Sequence, residues 1–226
     1  MLELKVEIFL ITFFVGYFIG SIPFAYIFTK LFSKKDLRVE GSGNVGMTNA
    51  LRTAGILPAI LTLIFDSSKP VLAGLIAFKI SKILIGNLLA IIYVSGNLNK
   101  LALLIVSLTG LFAVFGHCYS VFLKFKGGKG AASMLGLMTF INPMLSLIGI
   151  IIWLIIFNLT HIVSVSTIIM LVSYPISAYF LHIHYFNILI YIIGILSIFG
   201  IVMHGKNIKR LLTKSERKTY IFKKNV

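Results

Sequence analysis

Long uncharged apolar runs constrain this chain more than any other feature. Residues 8–28 carry no charge, and further apolar stretches cover 57–78, 101–123, 144–157, 163–181 and 188–203. Each is long enough, alone or with a tilt, to cross a hydrocarbon layer that takes about 20 residues of helix. Composition agrees: 58% of residues are hydrophobic and 12% charged, and the mean hydropathy is +1.02. The expected fold is therefore an all-α integral membrane protein, one multi-span domain over residues 1–226. The first run follows Lys5 but continues without a small-residue cleavage site, so it reads as a span rather than a signal peptide. Two shorter stretches remain. Residues 131–141, closed by Asn142-Pro143, suit a short or tilted helix, and residues 83–94, between Lys82 and Gly96-Asn97, suit a re-entrant or surface-lying piece.

Orientation follows from Lys and Arg in the loops. Most lie in residues 30–52, 124–129 and 206–224. All three segments share the cytoplasmic side if 83–94 does not cross and 131–141 does. The count is then about seven transmembrane helices, with the N-terminus outside and the C-terminus cytoplasmic; Lys79, Lys82 and Lys100 fall on the outer side against the rule.

The net charge of +15 comes from 21 basic and six acidic residues. For the tail, with Arg217, Lys218, Lys223 and Lys224, topology and contact with anionic lipid are explanation enough. No nucleic-acid module accompanies the charge, so no nucleic-acid partner is expected. The acids are Glu3, Glu7, Asp36, Glu40, Asp66 and Glu216. So sparse a set argues against paired-carboxylate hydrolysis and carboxylate-built metal sites. The single Cys118 excludes an intramolecular disulfide and lacks zinc-site partners, so neither metal nor cofactor is expected. A Cys118–His117 nucleophile pair is also disfavoured, because adjacent residues on a helix point about 100° apart.

Three polar stretches carry the chemistry. The first, EGSGNVGMTNALRTAG (40–55), is rich in donors: Ser42, Asn44, Thr48, Asn49 and Arg52 among four glycines. Glycines let backbone N–H groups approach a ligand, and Arg52 offers a planar fork suited to phosphate oxygens. A helical turn over 47–53 would put Thr48 and Arg52 on one face; a plain Gly/Asn-rich turn is the alternative. The second, VFGHCYSVFLKFKGGKGAASML (114–135), surrounds Gly127-Gly128 and Gly130 with Lys124, Lys126 and Lys129 before a helix starts at Ala131. A glycine loop feeding a helix N-terminus suits an oxyanion. Gly130 stands where a nucleotide-binding loop needs Ser or Thr for magnesium, so that motif is excluded. The third, MHGKNIKRLLTKSERK (203–218), puts His204, Asn207 and Arg210 at helical spacing of about three as the last span leaves the membrane, followed by Glu216.

Taken together, these stretches resemble the acyl-phosphate-dependent glycerol-3-phosphate acyltransferases of bacterial membranes, the PlsY family. GSGNVGMTNALRTAG, GHCYSVFLKFKGGKG and HGKNIKRLLTKSE fall in the family's order, and the resemblance covers nearly the whole chain. It implies transfer of a fatty acyl group from acyl phosphate to the 1-hydroxyl of glycerol 3-phosphate, giving lysophosphatidic acid, by a seven-helix protein of the bacterial inner (plasma) membrane with its site at the cytoplasmic face. The implied partners are those two substrates and membrane lipid, with a monomer compatible with all of this. It further implies that Ser42, Asn44, Thr48, Asn49 and Arg52 help form the glycerol-phosphate site and the reacting centre. Lys126, Gly127, Gly128 and Lys129 would hold a phosphate, and His204, Asn207, Arg210 and Glu216 would close the site. Three positions differ from the family pattern: Ser120 stands where proline is usual, Lys214 where glycine is usual, and Asp66-Ser67-Ser68-Lys69-Pro70 ends in Lys-Pro rather than Lys-Gly.

An activated donor needs orientation and charge stabilisation rather than a covalent nucleophile. His117, His204 and Asp66 are candidate general bases, as is a phosphate oxygen of a bound substrate. Asp66 and Lys69 lie three apart on one helix, and a structural ion pair competes with a catalytic role. His161, His182 and His184 read as interfacial. A lipid- or anion-binding or transport paralogue without turnover is the alternative to the enzyme.

Overall fold

The computed structural model describes residues 2–85, 98–183 and 187–219, and every regular element among them is helical. The chain divides into two compact units, Met1–Ile141 and Asn142–Val226. Among the described residues five helices are long and apolar enough to cross a membrane. They become six if Ile188–Met203 and Gly205–Leu212, bent by 54°, count as one. The chain is a multi-pass helical membrane protein by length and composition of these helices. Ala131–Ile141 is apolar but shorter, as its sequence suggested.

The first unit holds α1 (Leu2–Ser21), α2 (Phe24–Ser33), α3 (Met47–Ala54), α4 (Ile56–Ile85), α5 (Leu98–Cys118), a 3₁₀ turn (Val121–Leu123) and α6 (Ala131–Ile141). The apolar run 8–28 is not one helix, because Pro23 has no N–H and restricts Ile22. The break leaves the Ser21 and Ile22 carbonyls outside the helical ladder, and both acquire side-chain donors. Ser120 Oγ donates to Ser21 O at 2.6 Å, and Lys69 Nζ donates to Ile22 O at 3.2 Å. Ser120 itself has φ −63°, the angle of a proline, so the family's usual residue fits there and serine adds a hydrogen bond.

Close approach between these helices rests on small residues, the packing device available where lipid removes the hydrophobic drive. A Cβ on Gly16 or Gly20 of α1 would strike the backbone of Thr109 or Ala113 in α5. One on Gly136 of α6 would strike the backbone of Ser67 in α4. Large apolar side chains such as Phe14, Phe18, Ile64 and Leu72 point outward, as a lipid-facing surface requires. α4 runs for 30 residues, beyond the end at residue 78 that the charges suggested. Lys79 and Lys82 are good helix formers set among further apolar residues, so they do not stop it. Ile83 to Ile85 therefore belong to α4, and the rest of the 83–94 stretch lies outside the described residues. Pro70 sits within α4 without ending it; it removes the N–H that would have bonded the Asp66 carbonyl.

The second unit holds α7 (Pro143–Thr160), α8 (Val163–Phe180), α9 (Asn187–Met203) and α10 (Gly205–Leu212). Asn142 caps α7 by accepting from Met144 N at 2.9 Å, with Pro143 in the first turn; both roles suit these residue types. Trp153 Nε1 donates to Thr167 Oγ1 at 3.1 Å between α7 and α8. His161 caps the end of α7 in the left-handed conformation and His182 follows α8, consistent with residues at span ends. His184 lies outside the described residues.

Candidate active site

The deepest polar cluster of the first unit joins α4 to the end of α5. Asp66, Lys69 and His117 are all buried. Lys69 Nζ donates to Asp66 Oδ1 at 2.9 Å and lies 2.9 Å from His117 Nδ1. His117 Nδ1 is 3.5 Å from the same carboxylate oxygen. The ammonium also stands 5.8 Å from the centre of the Phe24 ring. The i, i+3 spacing on α4 explains the pair, and the Ile22 carbonyl freed by Pro23 completes it. Such satisfaction is what ionisable groups among apolar helices require.

The first loop is held by Asn49. Its Oδ1 accepts from Ser42 N at 2.9 Å, and its Nδ2 donates to the carbonyls of Leu37 and Glu40 at 3.1 and 3.0 Å. The side chain is 1% exposed, so its amide is spent on the loop's own backbone. Leu37 and Val45 pack with Ala25 and Leu123 beneath it. Asp36 and Arg38 close the start of the loop through paired hydrogen bonds, and the Arg38 guanidinium holds the Asp36 carboxyl down to about 2. The predicted helical turn is α3, with Thr48 half-buried and Arg52 exposed on it; Ser42 is exposed and Asn44 half-buried. Donors thus remain at the loop surface while Asn49 fixes its shape.

The glycine turn lies against His117. Gly127 N donates to Cys118 O and Gly128 N to His117 O, both at 3.0 Å. A Cβ on Gly127 would strike His117 O, and one on Gly128 would strike His117 Nε2 and Val45 O. These glycines therefore permit close approach, and their N–H groups are committed to the end of α5. Gly130, at φ +80°, turns the chain into α6, whose first turn offers N–H groups that a helix leaves without internal partners. Lys126 is exposed and Lys129 half-buried beside this turn. Val45 brings the first loop to the same spot, so two of the three polar stretches meet around His117.

The third stretch is organised within the second unit by Glu216. Its Oε1 accepts from Asn207 Nδ2 at 2.6 Å and Ser164 Oγ at 3.0 Å, and its Oε2 accepts from Arg210 Nε at 2.6 Å. Burial pushes the Glu216 carboxyl up, but the hydrogen bonds from Arg210, Asn207 and Ser164 outweigh it and hold the group below its usual value. Thr219 N donates to His161 O at 2.8 Å, fastening the following chain to the link between α7 and α8. His204 is buried, with Nδ1 2.7 Å from Gly200 O, which assigns the proton to Nδ1. Glu216 is thus an organiser of Asn207 and Arg210. Ser164 was missed by sequence reasoning; its only signal was a polar residue in the first turn of an apolar span.

Fold and sites define a class: a polytopic helical membrane protein carrying glycine-rich and basic loops. Known proteins narrow it. The family described as Glycerol-3-phosphate acyltransferase matches residues 10–214. A glycerol-3-phosphate acyltransferase of Thermosipho melanesiensis is 38% identical over 206 residues, covering 91% of this chain and 90% of the relative. One of Bartonella quintana is 38% identical, covering 91% and 89%. The crystal structure of PlsY (YgiH), an integral membrane glycerol 3-phosphate acyltransferase, in its glycerol 3-phosphate form, superposes with a TM-score of 0.78 at 30% identity. It covers 95% of this chain and 96% of its own. The lysophosphatidic acid form gives 0.76 at 29% identity. The chain belongs to the glycerol-3-phosphate acyltransferase family.

Proposed function

We propose that this protein transfers a fatty acyl group from acyl phosphate to the sn-1 hydroxyl of glycerol 3-phosphate, releasing lysophosphatidic acid and phosphate at the cytoplasmic face of a bacterial inner membrane. The observation that carries this is the likeness, over 95% of the chain, to a relative solved in a glycerol 3-phosphate form. The reaction breaks the bond between the acyl carbon and the phosphate oxygen, the hydroxyl oxygen takes the acyl group, and the hydroxyl proton leaves with the released phosphate. With so good a leaving group, the protein's task is to hold two anions in line and stabilise the oxyanion of the addition step.

In this reading Ser42, Asn44, Thr48 and Arg52 bind the glycerol phosphate, and Asn49 shapes their loop. Lys126, Lys129 and the first turn of α6, which the turn at Gly127-Gly128 sets in place, hold the phosphate of the donor. His204, Asn207 and Arg210 are the further residues this reading assigns to substrate, with Glu216 orienting the latter two within the second unit. Asp66 and Lys69 act on the chemistry through His117. The topology proposed with it has seven spans, α6 being the short one and the N-terminus lying outside.

The test compares donors. Purified protein in lipid is given glycerol 3-phosphate with palmitoyl phosphate, palmitoyl-CoA or palmitoyl carrier protein, and the product's acyl position is read by mass spectrometry. Product from acyl phosphate alone, acylated at sn-1, is expected. Product from a thioester donor and none from acyl phosphate overturns the donor assignment.

A further inference from the structure

We infer that His117 is locked as a neutral imidazole carrying its proton on Nε2, and that it acts as a hydrogen-bond donor toward the substrate oxygen held at the Gly127–Gly130 turn rather than as the proton acceptor of the reaction. This rests on the acyltransferase reading above and assigns the role of one residue within it.

The donor count at Lys69 fixes the ring. An ammonium group has three N–H bonds and no acceptor. Three acceptors surround Nζ: Asp66 Oδ1 at 2.9 Å, Ile22 O at 3.2 Å and His117 Nδ1 at 2.9 Å. All three protons are thereby used, and the third goes to a ring nitrogen. Nδ1 must then present a lone pair. A proton on Nδ1 would set two N–H groups head to head at 2.9 Å, and the longer 3.5 Å approach to Asp66 would not compensate. An imidazolium would add a second cation beside Lys69 with one carboxylate to balance both, among apolar helices where unbalanced charge is costly. The neutral ring with its proton on Nε2 satisfies every contact that Nδ1 and the ammonium make.

That proton has a defined direction. Nε2 faces Gly128, where even a methyl group would collide with it. The same narrow crevice is lined by Ser21, Val45, Asp66, His117 and Gly128, so it joins the break after α1, the first loop and the glycine turn. Ser21 Oγ is fully buried there without a hydrogen-bond partner among the described residues. Its hydroxyl is thus a further donor among the residues that line the crevice. Two neutral donors beside a turn flanked by Lys126 and Lys129 suit a phosphoryl or carbonyl oxygen. A base at this place would need the lone pair that Lys69 already occupies. His204 is built the opposite way, with Nδ1 against the Gly200 carbonyl and its acceptor at Nε2.

Two measurements test this. The full chain, labelled with nitrogen-15 at histidine, is examined in detergent micelles, with the His117 signals identified by their loss in His117→Gln. Nε2 protonated and Nδ1 unprotonated at neutral pH is expected; an imidazolium or a proton on Nδ1 overturns the assignment, whatever the protein catalyses. The second measurement follows kcat and KM of His117→Gln and His117→Leu with palmitoyl phosphate and glycerol 3-phosphate. A glutamine amide keeps a donor near the Nε2 position and is no base. His117→Gln should keep most of kcat while His117→Leu loses on the order of a hundredfold, as for removal of one oxyanion donor. Equal activity of the two variants, both low or both high, overturns the donor role.

Discussion

Two carboxylates organise this protein, and they do so in opposite surroundings. Asp66 lies among apolar helices and is balanced by a full cation, with His117 completing a cluster in which every ammonium proton has an acceptor. Glu216 lies beyond the last span and is held by three hydrogen-bond donors, one of them charged. The contrast teaches where precision is required. Inside the membrane a missing partner leaves an uncompensated charge with no water to take it, whereas at the interface water stands in for a lost donor.

Removing one side of the buried pair should produce the largest effect. Lys69→Met should destabilise the protein by about 3–5 kcal/mol, because it strands the Asp66 charge. The double variant Asp66→Leu/Lys69→Met should recover most of that, as read by thermal unfolding in detergent. Equal stability of Lys69→Met and wild type would break the comparison. Next comes Gly128→Ala, which must displace either His117 or the Val45 backbone; about 1–3 kcal/mol is expected, with a larger loss of activity than of stability.

Glu216→Gln should cost less, about 1–2 kcal/mol, since one acceptor oxygen survives and water reaches the rest. The sign with pH sharpens this. The folded carboxyl sits below its ordinary value, so its contribution is present above the usual carboxylate range and is lost as pH falls through the depressed value. Acid melts of wild type should therefore fall toward those of Glu216→Gln, whose own curve lacks this component. Parallel curves would contradict the assignment. The smallest effect belongs to Lys214, a non-glycine residue at φ 55°. Lys214→Gly should change stability by less than about 1 kcal/mol, on the stabilising side, because it relieves a left-handed backbone.

Hydropathy made the spans legible, and the switch from helix-breaking glycines to an apolar run located α6 at Ala131–Ile141. The polar stretches were legible as clusters of donors, but not which donors face inward. Asn49 looks like a ligand in the sequence, yet its amide is consumed by carbonyls of Leu37 and Glu40 brought round by the loop's own path. Gly127 and Gly128 look like free N–H groups, but they are needed for close contact with α5. Pro23 was visible, but only the structure shows that its break frees a carbonyl for a lysine 47 residues further along the chain. Ser164 carried little signal, because a single serine in an apolar helix is common, and Ser120 stood out as a departure from the family pattern, but its partner, like that of Ser164, is set by tertiary packing.

The most direct test of the account is acyl transfer by the purified full chain in lipid cubic phase, with palmitoyl phosphate and radiolabelled glycerol 3-phosphate, for wild type and Arg52→Ala. Lysophosphatidic acid formed by wild type and lost with Arg52 is the result the account predicts. Well-folded wild type that forms none, with acyl-CoA and acyl carrier protein donors failing as well, would contradict it and leave a relative that keeps the phosphate-holding loops without the reaction.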